Sequence, residues 1–263
     1  MLKRELKVNF KSFLIWTLIL IAIFLVVFSV YPFIVTDESM KNLDEMMKVF
    51  PKELLKAFNM DLTSINSAYG WLKSEGLMFV MLIVGVYSSL LGGNILLKEE
   101  SDKTIEYLGV LPVKRDNIVT SKIIASVIYM ISMIIILGVF NYIALSISGD
   151  FDQTEYLLLS ITPILIALPL FALNLFISTF FSKTKKTLGI SLGLVFIFYL
   201  LNVLSELSPN VEFLKYFSIY TLADTRGIIE SVSINPLVVV ISTVITVVFV
   251  FLTYIRYNKK ELV

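Results

Sequence analysis

The chain has 263 residues, 57% of them hydrophobic and only 16% charged, with a mean hydropathy of +0.86 and a formal net charge of +1. Soluble domains keep about 45–50% apolar and about 25% charged residues, so this balance excludes an ordinary soluble globule, and the near-zero charge offers nucleic acid no bulk attraction. With no Cys and no His, disulfide frameworks, Cys/His zinc sites, thiol nucleophiles and a Ser-His-Asp triad are excluded and no metal site is expected; no Gly-x-x-x-x-Gly-Lys-Ser/Thr phosphate loop occurs either.

In chain order, residues 1–11 form an amphipathic segment. Leu2, Leu6, Phe10 and Phe13 recur at near-helical spacing beside the basic residues Lys3, Arg4, Lys7 and Lys11. The pattern fits a separate helix lying along the membrane interface, its cations near anionic headgroups, or a plain basic flank of the first span. A helix needs about 20 apolar residues to cross the hydrocarbon core. Six stretches qualify, 12–34, 77–97, 123–147, 157–181, 188–204 and 237–255, and none contains Asp, Glu, Lys, Arg or His. The expected architecture is all-α and integral to the membrane: an interfacial helix over 1–11 and a six-span domain over 12–263. The first span lacks a small-x-small cleavage site and reads as a retained helix rather than a signal peptide.

Loop 35–76 carries two apolar faces, Met40, Leu43, Met47 and Phe50, then Leu54, Leu55 and Phe58 after Pro51. They suit two short helices on the outer leaflet, packed against the spans or accommodating apolar cargo. On the second span, Gly85, Ser89 and Gly93 recur every four residues, and Gly189 and Gly193 make a Gly-x-x-x-Gly on the fifth, both patterns of close helix approach. Segment 205–236 is too apolar for a free loop and fits a re-entrant hairpin. Amides inside the spans serve interhelical hydrogen bonds or line a path; Tyr87, Asn94, Tyr199 and Asn202 are the candidates for a translocation path.

Lys and Arg placement sets orientation. The N-terminus, loops 98–122 and 182–187 and the C-terminus hold 15 of the 22 basic residues, whereas 14 of the 21 acidic residues lie on the opposite side. A plasma-membrane protein with both termini cytoplasmic is expected. Lys183, Lys185 and Lys186 are either a positive anchor or a secondary contact for a soluble partner. Spans without titratable groups lack the usual ion-coupling chemistry, so uphill transport requires energy from outside the bilayer.

Loop 98–122 reads KEESDKTIEYLGVLPVKRDNIVTSK. Ser101 or Asp102 can cap a short helix, Ile105 and Leu108 give it an apolar face, Gly109 can end it and Pro112 stops it. A short polar helix can dock into a groove on a soluble protein; the same residues also suit a solvated loop.

Glu99, Glu100, Thr104, Ile105, Glu106, Leu108, Leu111, Pro112, Val113, Lys114, Arg115, Ile118, Val119 and Lys122 resemble the hallmark of type 2 ATP-binding-cassette (ABC) exporter permeases. Phe50–Phe58 and Gly70-Trp71-Leu72 resemble the outer segment of one branch of that family. One departure is Lys103, where the family pattern has glycine. The resemblance implies the type 2 exporter fold and a coupling helix seated on a separate cytoplasmic ATPase. Its contacts would be Glu99, Glu100, Lys103, Thr104, Ile105, Glu106, Tyr107, Leu108, Pro112, Val113, Lys114 and Arg115. It further implies two ATPase copies and a second permease, most simply a homodimer, with ATP and Mg2+ held by the partner and no cofactor or catalytic residue here. The expected cargo is amphipathic or hydrophobic, a peptide toxin or antimicrobial peptide first, with lipid, drug or sodium export as alternatives. A membrane-bound enzyme or a passive scaffold remains the reading from a different class.

Overall fold

The computed structural model describes residues 1–34, 45, 49, 67–104 and 114–260. The expected outer-leaflet helices over Met40–Phe58 lie outside these residues. Helix α1 spans Leu2–Ile34, α2 Ala68–Ile95, α3 Lys98–Ser101, α4 Arg115–Ser148, α5 Gln153–Ile161, α6 Ile164–Ser178 and α7 Thr184–Leu207. Two 3-10 turns, Pro209–Phe217 and Ile219–Leu222, lead to α8 (Thr225–Ser231) and α9 (Pro236–Lys259). No strand occurs among the described residues.

Six candidate spans result: α1, α2, α4, α5 with α6, α7 and α9. Their alternating course places residues 1–11, 98–104, 114–122, 182–187 and 256–260 at one end, hereafter the terminal end. The hairpin 205–236 sits at the other.

Local chemistry explains most boundaries. Asp152 accepts from the amides of Thr154 and Glu155 and opens α5, while Asn235 accepts from Leu237 N–H ahead of Pro236 and opens α9. Pro163 interrupts the fourth span between α5 and α6, because proline offers no amide to the preceding turn. The expected uninterrupted helix over 157–181 is therefore two helices.

The boundary expected at residue 11 is absent, since α1 runs unbroken from Leu2. Its buried stripe is Glu5, Asn9, Phe13, Thr17, Leu20 and Phe24, at four- and three-residue steps, and it packs chiefly on α4. Phe13 stacks on Tyr129 at 4.8 Å, and the Tyr129 hydroxyl donates to the Leu6 carbonyl. Phe10, on the apolar face of residues 1–11, is 52% exposed. Residues 2–11 are thus continuous with the first span as the opening turns of α1, held by α4.

Helix α6 is the centre of the bundle, packed between α2 and α9. Leu165, Ile166, Ala167, Leu170, Phe171, Ala172, Asn174 and Leu175 are all buried. Ser242 of α9 donates to the Leu165 carbonyl at 2.8 Å. The small residues of α2 permit this closeness, and three glycines serve three neighbours. A Cβ on Gly92 would overlap the Phe171 carbonyl oxygen of α6, one on Gly93 the Ser191 hydroxyl of α7, and one on Gly85 the Tyr220 hydroxyl of the hairpin. Gly189 and Gly193 differ: a Cβ on either meets nothing within 4 Å. That Gly-x-x-x-Gly packs against no other helix among the described residues.

The helices outrun the apolar stretches, so several ionisable groups are buried at their ends. Lys122 lies in the second turn of α4, and Lys73 of α2 pairs with Glu155 of α5 at 3.0 Å. All lie outside the six stretches that the sequence marks as free of charge.

Candidate functional site: a clamped loop and a lateral cavity

At the terminal end α2 gives way to α3, which closes in a Schellman motif. The Lys103 amide donates to the Glu100 carbonyl at 3.2 Å and the Thr104 amide to the Glu99 carbonyl at 2.8 Å. Ser101 and Asp102 accordingly end one helix instead of capping the next, which corrects the expected start of a coupling helix there. Lys103 holds φ at 55°, the left-handed region that L side chains enter at a cost of about 1–2 kcal/mol. The one departure from the family pattern thus falls at a position whose backbone favours glycine. Lys103→Gly is expected to raise stability by roughly 1 kcal/mol; equal thermal midpoints for parent and variant would contradict this.

Glu99 and Glu100 do not face outward. They are 6% and 5% exposed, and their carboxylates are bound within the chain. The Lys122 ammonium, 1% exposed, donates to both Glu99 oxygens at 2.8 and 2.9 Å, to Glu5 Oε2 at 3.2 Å and to the Ile95 carbonyl at 2.8 Å. The outer edge of this cluster is Arg4, whose guanidinium lies 3.9 Å from Glu99. Lys260, just past α9, donates to both Glu100 oxygens at 2.8 Å and to the Phe181 carbonyl at 2.5 Å. One short helix is therefore tied to α1 and α4 through Glu99, and to the last residues of α9 and the α6–α7 turn through Glu100.

The far side of the loop is latched as well. Arg115 donates to the carbonyls of Tyr257, Asn258 and Lys260 at 3.4, 3.3 and 2.7 Å, placing a cation on the carbonyl end of α9. Asn258 donates to Asp116 at 2.7 Å, and the Thr120 and Tyr254 hydroxyls lie 2.7 Å apart. Lys114, beside Arg115, is exposed, as are Lys3, Arg4, Lys7, Lys11, Lys183, Lys185 and Lys186. Ile105, Glu106, Tyr107, Leu108, Pro112 and Val113 lie outside the described residues.

The sequence marks Glu99, Glu100 and Arg115 for a partner and leaves out Glu5, which shares the Lys122 ammonium with Glu99, and Lys260, which pairs with Glu100. Glu5 carried a faint signal as the only acid among residues 1–11. Lys260 carried none, because its carboxylate lies 160 positions away.

The four path candidates are not brought together. Tyr87 is 1% exposed, with its ring 6.1 Å from Trp16 of α1, and Asn94 is half-buried near the terminal end of α2. Tyr199 and Asn202, on α7, line a cavity of about 690 Å3 at the hairpin end. Its walls come from α2, α7, α9 and the hairpin. Tyr199 meets Tyr220 edge-on at 5.6 Å, and Asn202 Oδ1 accepts from Thr221 at 3.2 Å. Glu206 and Arg226, 2.9 Å apart, both belong to the lining. Lys215 also lines it and pairs with Glu212 at 2.6 Å. Its hydrogen bond holds the Glu212 carboxyl below the usual carboxylate range and its own ammonium above the usual lysine value.

A family model described as ABC-2 family transporter protein matches residues 1–262. No curated protein and no solved structure matched the chain.

Proposed function

The chain belongs to the ABC-2 family of transporter proteins and is a multi-pass membrane permease subunit that works with an ABC ATPase; from that premise we propose that it exports an amphipathic or hydrophobic cargo, with loop 98–122 as the lever on which the ATPase acts. The clamp carries this reading. Glu99 and Glu100 connect the start of the loop to α1, α4, α9 and the α6–α7 turn, so a force on the loop reaches four parts of the bundle at once. Coupling requires that the ATPase bind the two arrangements of the permease unequally. In this scheme Glu99 and Glu100 position the loop rather than touch the partner. Ile105, Glu106, Tyr107, Leu108, Pro112 and Val113, with exposed Lys114, meet the ATPase, which holds ATP and Mg2+. Lys103 and Thr104 set the angle at which the helix leaves the motif, and Arg115 latches its far end to α9.

The basic terminal end faces the cytoplasm in this proposal, as the positive-inside rule requires, and Lys3, Arg4, Lys7 and Lys11 lie at headgroup level. Two copies pair, with the open Gly189–Gly193 face of α7 at the contact, and two ATPases complete the transporter. An amphipathic peptide is the preferred cargo, because the apolar stretches offer no charged relay for an ion. Lipids and drugs share the same solvation logic.

Glu106→Ala and Pro112→Ala are expected to insert normally while transport falls by roughly 5–150-fold, the range covered by a coupling free energy of about 1–3 kcal/mol. ATP hydrolysis and cargo efflux, measured together in vesicles holding the complete complex, test this. Undiminished efflux in both variants would remove the lever from the scheme.

A further inference from the structure

We propose that the 690 Å3 cavity at the hairpin end is a binding site for a single-chain amphiphile whose head carries both a positive and a negative charge. This rests on the transport reading and deepens it, since the site lies inside one protomer and faces the outer half of the bundle in the proposed orientation.

The volume falls inside the roughly 300–1,000 Å3 typical of small-molecule sites. The cavity is two-sided. Toward the bundle middle its wall is apolar, with Met78 and Met81 on α2 and Ile241 and Ile245 on α9. Ile241 is 39% exposed, so this wall continues onto the lipid-facing surface of α9. Methionine side chains adapt to chains of differing shape. Toward the hairpin the lining turns polar.

Charge complementarity selects the head. Glu206 and Arg226 pair within the lining with side chains 31% and 39% exposed, and Lys215 lines it with its own carboxylate partner, Glu212. Each cation already has an anion, and the remaining carboxylate of the lining, Asp224, accepts from the Gly227 amide at the start of α8. A head of single charge would have to displace one member and leave its partner unmatched, whereas a dipolar head can exchange with both members of a pair. Asn202 and Thr221 supply neutral hydrogen-bonding groups between the two halves.

The pairing is tested by photolabelling the purified full-length permease in nanodiscs with a lysophosphatidylcholine that carries a diazirine at the end of its acyl chain. Adducts are expected on residues 74–81 and 237–245, displaced by unlabelled lysophosphatidylcholine but weakly by dodecyl phosphate or dodecyltrimethylammonium. Ile241→Trp fills the cavity from its exposed rim, where folding is least at risk, and is expected to lower those adducts by roughly tenfold; Met81→Trp does so from within. Adducts spread evenly over the lipid-facing surfaces, or undiminished in Ile241→Trp, would overturn the site. Equal displacement by either singly charged amphiphile would overturn the dipolar head. The labelling uses neither ATP nor the ATPase, so its failure leaves the loop-coupling result for Glu106→Ala unaffected, and the reverse holds as well.

Discussion

Lys122→Met is expected to destabilise the folded protein by about 3–5 kcal/mol, the range for removing one partner from a buried ion pair. The ammonium is 1% exposed and faces two carboxylates, Glu5 and Glu99, which are themselves 2% and 6% exposed. Methionine preserves much of the stem but leaves two buried anions close together with only the half-exposed Arg4, 3.9 Å from Glu99, as counter-charge, along with the Ile95 carbonyl that the ammonium also served. Unfolding in detergent, followed by heat or denaturant, measures the loss. The triple variant Lys122→Met, Glu5→Gln, Glu99→Gln is expected to recover more than half of it, because the amides remove the uncompensated charges. A single variant as stable as the parent would mean that the cluster does not hold the terminal end together. A triple variant as unstable as the single one would trace the loss to packing rather than charge.

Gly92→Val comes second. Even a single Cβ on Gly92 overlaps the Phe171 carbonyl oxygen and lies 3.1 Å from the Leu175 amide nitrogen. Both obstacles are backbone of α6, so no rotamer change relieves them and the two helices must separate. Overpacking of this kind costs about 1–3 kcal/mol for small additions, and valine lies at the upper end. The matched control is Gly189→Val or Gly193→Val, where a Cβ meets nothing within 4 Å. In the isolated protomer these are expected to be neutral within roughly 0.5 kcal/mol. If two copies meet through α7, the same substitutions lower the dimer fraction on a sizing column without altering the protomer's unfolding. Equal stability losses at Gly92 and Gly189 would contradict the packing.

The two glycine patterns show how far a one-dimensional reading carries. Both satisfy the same spacing rule, yet among the described residues only the one on α2 is filled from within the protomer. The loop repeats the lesson. The family resemblance puts Glu99, Glu100 and Arg115 in one loop, but whether their charges point to a partner or inward depends on Glu5, Lys122, Lys260 and the last turn of α9. None of those relations follows from local sequence. Of the four polar path candidates, Tyr199 and Asn202 share a cavity, while Tyr87 is packed against Trp16.

By itself, the sequence determined that this chain lives in a bilayer, crosses it six times as helices and carries most of its basic residues at one end. Those properties are sums over contiguous stretches: each apolar run contributes its own transfer free energy, and each helix closes its own backbone hydrogen bonds. Only the tertiary structure decided which buried charge meets which, which glycine stripe is occupied and which polar residues share a cavity. Such facts depend on groups more than a hundred positions apart coming into contact, as Lys260 does with Glu100 at 2.8 Å and Lys122 with Glu5 at 3.2 Å. Adjacency of that kind is set by the packing of whole helices.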